Sequence, residues 1–176
     1  MRRLAEGDNA ALGELYLRYG GMVAYAAIAA VPSLSRHDVE DVCQDVFIAV
    51  STAAEQYREE GKLRSWIYSI AVRVARKRRR SRLLHRRLLD TVLGRPVGIS
   101  GPQSMPEAMT MSRIDLNRVF QELTEIQRQI LVMFELHGMS GEEVAGILGI
   151  KLNTVWSHLR RARNRILDEF DGSGRG

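Results

Sequence analysis

The sequence predicts an all-α protein: two small helical domains joined by a flexible linker, the second containing a helix-turn-helix. Three observations lead there. Apolar residues recur at spacings of three and four nearly everywhere, and no useful stretch alternates as a strand does. One tract, residues 90–105, gathers Gly94, Pro96, Gly98, Gly101 and Pro102 and forbids a regular helix. Between Ser140 and Arg165 a capped short helix, a glycine turn and a longer helix follow in the order of a helix-turn-helix. The 176 residues divide as a first block 1–89, a linker 90–105 and a second block 106–176. Fully extended, such a linker reaches roughly 50 Å, so the two blocks need not touch.

Each element has a local reason. Asp8 can cap a helix carrying Leu12, Leu15, Tyr16 and Tyr19. It continues past Gly20-Gly21 through Met22, Val23 and Ala26 and must end near Pro32. Ser35 caps a second helix, with Asp38 in the first turn, where the helix dipole favours an acid. Its buried stripe is Val39, Val42, Cys43, Val46, Phe47 and Val50. After a polar connection from Glu55 to Lys62, a third helix buries Leu63, Trp66, Ile67, Ile70, Ala71 and Val74. In the second block Met109, Leu116, Val119, Phe120 and Leu123 supply one stripe. Thr124 and Gln127 form a capping box that starts a helix running to Gly138. Ser140 and Glu143 form another, Gly149 breaks that helix, and a last helix runs from about Asn153 to Phe170.

Charge is distributed unevenly. Lys and Arg number 26 against 21 Asp and Glu, a net charge of +5. Between Arg73 and Arg87 nine of fifteen residues are basic and none is acidic. Like charges crowded on one helix repel, so the run calls for a polyanion such as nucleic-acid phosphate. The last helix repeats the theme with Ser157, His158, Arg160, Arg161, Arg163 and Arg165, while Val155, Leu159, Ala162 and Ile166 share the opposite, inward face. A helix of this kind fits the DNA major groove. On the second helix Asp41, Gln44, Asp45 and Ile48 lie opposite the buried stripe. On composition alone this acidic row reads as a solvated face. Tyr57, Trp66 and Tyr68 lie beside or within the basic helix. Trp66 falls on its buried stripe, which leaves Tyr57 the better candidate for stacking on an unpaired base.

Enzymatic signatures are missing: there is no Walker loop, nucleophile elbow, H-E-x-x-H or paired-cysteine zinc pattern, and no cofactor or metal is expected. The single cysteine, Cys43, allows no disulfide within the chain and fits a reducing cytoplasm. No apolar run is long enough to span a membrane, so no membrane insertion is expected.

At these residues the chain resembles a known family. Asp38-Val39-Glu40-Asp41-Val42-Cys43-Gln44-Asp45-Val46-Phe47 is similar to the D-x-E-D-x-x-Q-[DE]-x-F segment of sigma region 2, and Arg64-Ser65-Trp66-Ile67-Tyr68-Ser69-Ile70-Ala71 to the R-S-W segment that follows it. Leu123–Arg128, Ser140–Ala145, Gly149-Ile150 and Asn153-Thr154-Val155 resemble sigma region 4. With no other sigma region, the chain is identified as a sigma factor of the extracytoplasmic-function (ECF) group. The resemblance implies a transcription initiation factor, not an enzyme, that binds RNA polymerase core at its clamp and flap regions and confers promoter recognition and melting. It implies core contacts at Asp41, Gln44, Asp45 and Ile48, which overturns the solvated-face reading. It implies −10 DNA contacts at Tyr57, Lys62, Arg64, Arg73, Arg76 and Lys77. It implies −35 contacts at Trp156, Ser157, Arg160 and Arg161, with Arg128 and Thr154 as phosphate contacts. An anti-sigma partner is implied too. The alternative is a stand-alone helix-turn-helix regulator that needs no polymerase. Three positions depart from the pattern: Leu63 stands where Phe is usual, Gly141 where Tyr is frequent, and Trp156 where Lys or Arg is usual. The chain also starts inside what is normally the first helix, which implies a few missing leader residues.

Overall fold

The computed structural model describes residues 1–58, 63–93 and 120–173, and among these it contains helices and turns and no strand. In the first domain a short α1, Arg2–Ala5, precedes α2, Asn9–Ala30, and α3, Arg36–Thr52. A 3-10 turn, Ala54–Gln56, leads towards α4, Leu63–Leu93. In the second domain α5, Glu125–Leu131, runs into one π-helical turn, Val132–Leu136. Then come α6, Gly141–Leu148, and α7, Leu152–Ser173.

The expected caps form. Asp8 accepts from the Ala10 amide at 2.9 Å. Ser35 and Asp38, Thr124 and Gln127, and Ser140 and Glu143 each close a reciprocal capping box, satisfying amides that a helix start leaves without partners. Helix α2 passes through Gly20-Gly21 unbroken and stops at Ala30, two residues before Pro32. Gly149, at φ +66°, ends α6 in the left-handed region that glycine adopts without strain. Helix α1 has no counterpart in the sequence reading, and α4 runs four residues past Leu89 into the expected linker. Residues 94–105, the remainder of that linker, lie outside the described residues, as do Met109, Leu116 and Val119.

Helices α2, α3 and α4 pack mutually into one core. All six expected apolar positions of α3 are buried, as are Ile67, Ile70 and Ala71 of α4. Each such aliphatic side chain contributes roughly 1.5–3 kcal/mol. Tyr68, which the expected stripe leaves out, is buried as well. Burial penalises its phenolate and raises its pKa well above the usual value, with a small opposing effect from Arg76. In the second domain Val155, Leu159 and Ala162 of α7 close over Ile130, Val132, Met133 and Val144.

The two domains touch: α2 packs against α5 and the π turn, and α4 against α6. The reach of an extended linker permits separation but does not require it. The side chains that hold the domains together belong to the functional rows described next.

Candidate protein- and nucleic-acid-binding site

The basic run of α4 splits into two rows because residues three or four apart share a helix face. Arg78 and Arg82 turn towards α3. Arg82 pairs closely with Asp38, and Arg78 pairs with Asp41 and approaches Asp38 at 3.5 Å and Asp45 at 3.8 Å. The acids of α3 thus neutralise part of the run from within. Burial works against a charged Asp38, yet the hydrogen bonds from Ser35 and the charges of Arg82 and Arg78 outweigh it, holding the carboxyl below its ordinary value. This network was not read from the sequence, although the i, i+4 spacing of Arg78 and Arg82 was its visible signal.

What remains open on α3 is narrower than the expected row. Asp41 keeps a quarter of its side chain accessible beside Arg78, whereas Asp45 is 54% exposed. Gln44 is exposed, and Ile48 keeps 62% of its surface open although it is apolar. Cys43 faces the core. Burial, aided by Glu40, raises its thiol to about 11, so it stays protonated and inert.

The second row of α4 is Arg73, Arg76, Lys77 and Arg80, which line a cleft of about 400 Å³ closed on the far side by Gln129 and Ile147 of the second domain. Arg76 is engaged across the cleft with Glu125, at 2.7 Å. At the start of α4, Arg64 donates to the His137 carbonyl at 2.7 Å and lies 3.5 Å from Glu143. Desolvation, with a lesser effect from Arg64, lowers the pKa of His137 and keeps it neutral. Tyr57 packs against Trp66 with the rings tilted by 54° and 4.9 Å between their centres, and is half-buried. Lys62 lies outside the described residues.

In the second domain the outward row of α7 runs through Asn153, Trp156, Ser157, Arg160 and Arg161, all exposed, opposite the buried row. Arg163 instead pairs with Glu135 at 2.6 Å, and Arg165 reaches Glu122 at 3.4 Å. Thr154 is half-buried near the helix start. Arg128 differs from its sequence expectation in its surroundings. Its guanidinium donates to the carbonyls of Phe120, Leu123 and, from the other domain, Ala29 at 3.0 Å. Desolvation lowers its pKa, but a guanidinium keeps its charge at any pH of interest. The departures at 141 and 156 are neighbours: a Cβ on Gly141 would stand 2.7 Å from Cζ2 of Trp156.

These features define a DNA-binding helix-turn-helix protein with a second cationic helical unit and an acidic-apolar patch. The patterns of known families sharpen that. The sequence pattern of sigma-70 region 2 matches residues 15–83, and that of sigma-70 region 4 matches residues 113–166. RNA polymerase sigma factor NccH of Alcaligenes xylosoxydans is 31% identical over 94% of this chain and 89% of its own. The ECF RNA polymerase sigma-E factor of Escherichia coli is 31% identical over 94% of this chain and 90% of its own. The fold is similar to that of CnrH in complex with the cytosolic domain of CnrY, at a TM-score of 0.71 and 23% identity, covering 97% of this chain and 94% of that one. It is also similar to sigma factor RpoE in complex with the anti-sigma factor NepR from Bartonella quintana, at 0.67 and 22% identity, covering 90% and 96%. The chain belongs to the ECF sigma factors of the sigma-70 family, non-enzymatic transcription initiation factors that act with RNA polymerase in promoter recognition. No cluster of His, Cys, Asp and Glu among the described residues could hold a metal ion, and no helix among them is long and apolar enough to cross a membrane.

Proposed function

We propose that the patch of Asp41, Gln44, Asp45 and Ile48 docks on the polymerase clamp, that the second domain meets the flap, and that the two cationic rows hold promoter DNA. The carrying observation is the separation of faces. The α3 patch is acidic and apolar, while the α4 and α7 rows are cationic and exposed. Tyr57, Lys62, Arg64, Arg73, Arg76 and Lys77 face the melted −10 strand, where unpaired bases need stacking and phosphates need charge. Trp156, Ser157, Arg160 and Arg161 read the −35 duplex, with Thr154 and Arg128 towards its phosphates.

In the arrangement described, Arg64, Arg76 and Arg128 are occupied by the facing domain. DNA and the facing domain therefore compete for the same guanidinium groups, and promoter engagement requires the domains to part. One similar structure is a sigma factor in complex with the anti-sigma factor NepR and another is CnrH in complex with the cytosolic domain of CnrY, and this supports an anti-sigma partner and a cytoplasmic site of action here. The stand-alone regulator is disfavoured because relatives resembling the whole chain are named polymerase sigma factors.

Run-off transcription tests the reading. Purified chain plus core enzyme should give transcripts from one class of promoter, and neither component alone should. Promoter-specific binding of equal strength with and without core would favour the stand-alone regulator.

A further inference from the structure

Trp156 has two sides. Its six-membered ring lies over Gly141, so close that a methyl group there would meet Cζ2 at 2.7 Å and Cη2 at 3.1 Å, with Leu152 Cδ1 at 2.8 Å. The indole and the Phe134 ring meet at 80°, 5.4 Å between centres. The indole thus bridges the π turn, the first residue of α6 and the first turns of α7. Yet 42% of Trp156 stays exposed, on the row that also carries Asn153, Ser157 and Arg160. A large apolar group held rigidly among polar side chains on a groove-reading face has one natural counterpart in duplex DNA, the C5-methyl of thymine. Neighbouring Ser157 and Arg160 supply hydrogen bonds but no apolar contact.

We propose that Trp156 is a specificity-determining residue for the −35 element: its inner side, keyed over Gly141, fixes the roll of α7, and its outer edge selects thymine at the base pair it meets. The inference rests on α7 being the helix that reads the −35 duplex. Gly141 is then a positioning residue, since only a residue without a Cβ leaves the indole its seat. A shift of that seat moves the rigid aromatic edge relative to the bases, while the long, flexible side chains of Arg160 and Arg161 still reach the duplex.

The test is selection of −35 sequences from a randomised promoter by holoenzyme assembled from core and the full-length chain. Wild type should enrich thymine at one position. W156A should lose that enrichment by roughly fourfold, the factor for burying one methyl group, while the other selected positions persist. G141A should blur the same position, and G141A/W156A should be no worse there than W156A, because the contact with the indole has gone and the one left is with the flexible end of Leu152. W156K covers W156A should the latter unfold. Its aliphatic stem still spans Gly141, and its ammonium should turn the preference from thymine to guanine. Unchanged thymine enrichment in W156A or W156K, or additive losses in the double variant, overturns the proposal and leaves Trp156 as packing. A wild-type holoenzyme that enriches no upstream sequence at all overturns the −35 reading beneath it as well.

Discussion

Arg160 projects from the outward row of α7 and has no ion pair among the described residues, whereas Arg163, three residues on, is held by Glu135. Only the former is at liberty to reach a base edge. R160A should therefore relax the preference at one −35 base pair by about 1–3 kcal/mol, measured by competition between promoter variants. A uniform loss across sequences would mark a phosphate contact instead. Asp38 makes the opposite case, a charge spent inside. Its folded pKa is depressed, so its contribution is present above the unfolded value near about 4 and lost as pH falls through the folded value. Thermal unfolding followed across that window should show a drop in stability on acidification that is shallower in D38N. An identical acid response in D38N would remove Asp38 from the account.

At the level of elements, the helices were legible because their signals are local. Caps at Ser35, Thr124 and Ser140 and the stripe of α3 depend on residues a few positions apart, and each forms as expected. Ile67 shows how far that goes: it lies on the expected stripe and is wholly buried, so I67A should lower the unfolding free energy by roughly 2–5 kcal/mol in denaturant titration. The partners of charges were not legible. Arg78 finds Asp41 thirty-seven residues away, and Arg64 finds the His137 carbonyl seventy-three away, and no helical period encodes such pairs. Tyr68 was left off the expected stripe for a related reason. A tyrosine two positions beyond a tryptophan on the buried stripe sits at the edge of the predicted face, and only the packing of α2 against α4 decides that it goes inward. Leu63, which stands where Phe is usual in the family, is half-buried against the core, so the smaller side chain is accommodated in packing.

Across the whole molecule, the same guanidinium groups serve two purposes. Arg76 with Glu125 joins the domains by a half-exposed pair, weak by itself and screened by salt, and Arg64 with Glu143 by a longer contact at 3.5 Å to a carboxylate only 10% exposed. Removing both acids as E125Q/E143Q should leave each domain folded, enlarge the radius of gyration in solution scattering, and raise affinity for promoter DNA in the presence of core. Unchanged dimensions would show that apolar contact between α2 and α5 holds the domains without the pairs.

The account stands on one chain gripping polymerase and promoter through separate faces. The most direct measurement titrates core polymerase into fluorescently labelled full-length chain at low ionic strength, for the wild type and for D45K. Saturable binding by the wild type, much weakened in D45K although that variant melts at the same temperature, is the predicted result. Equal binding by both, or none by either, would contradict it.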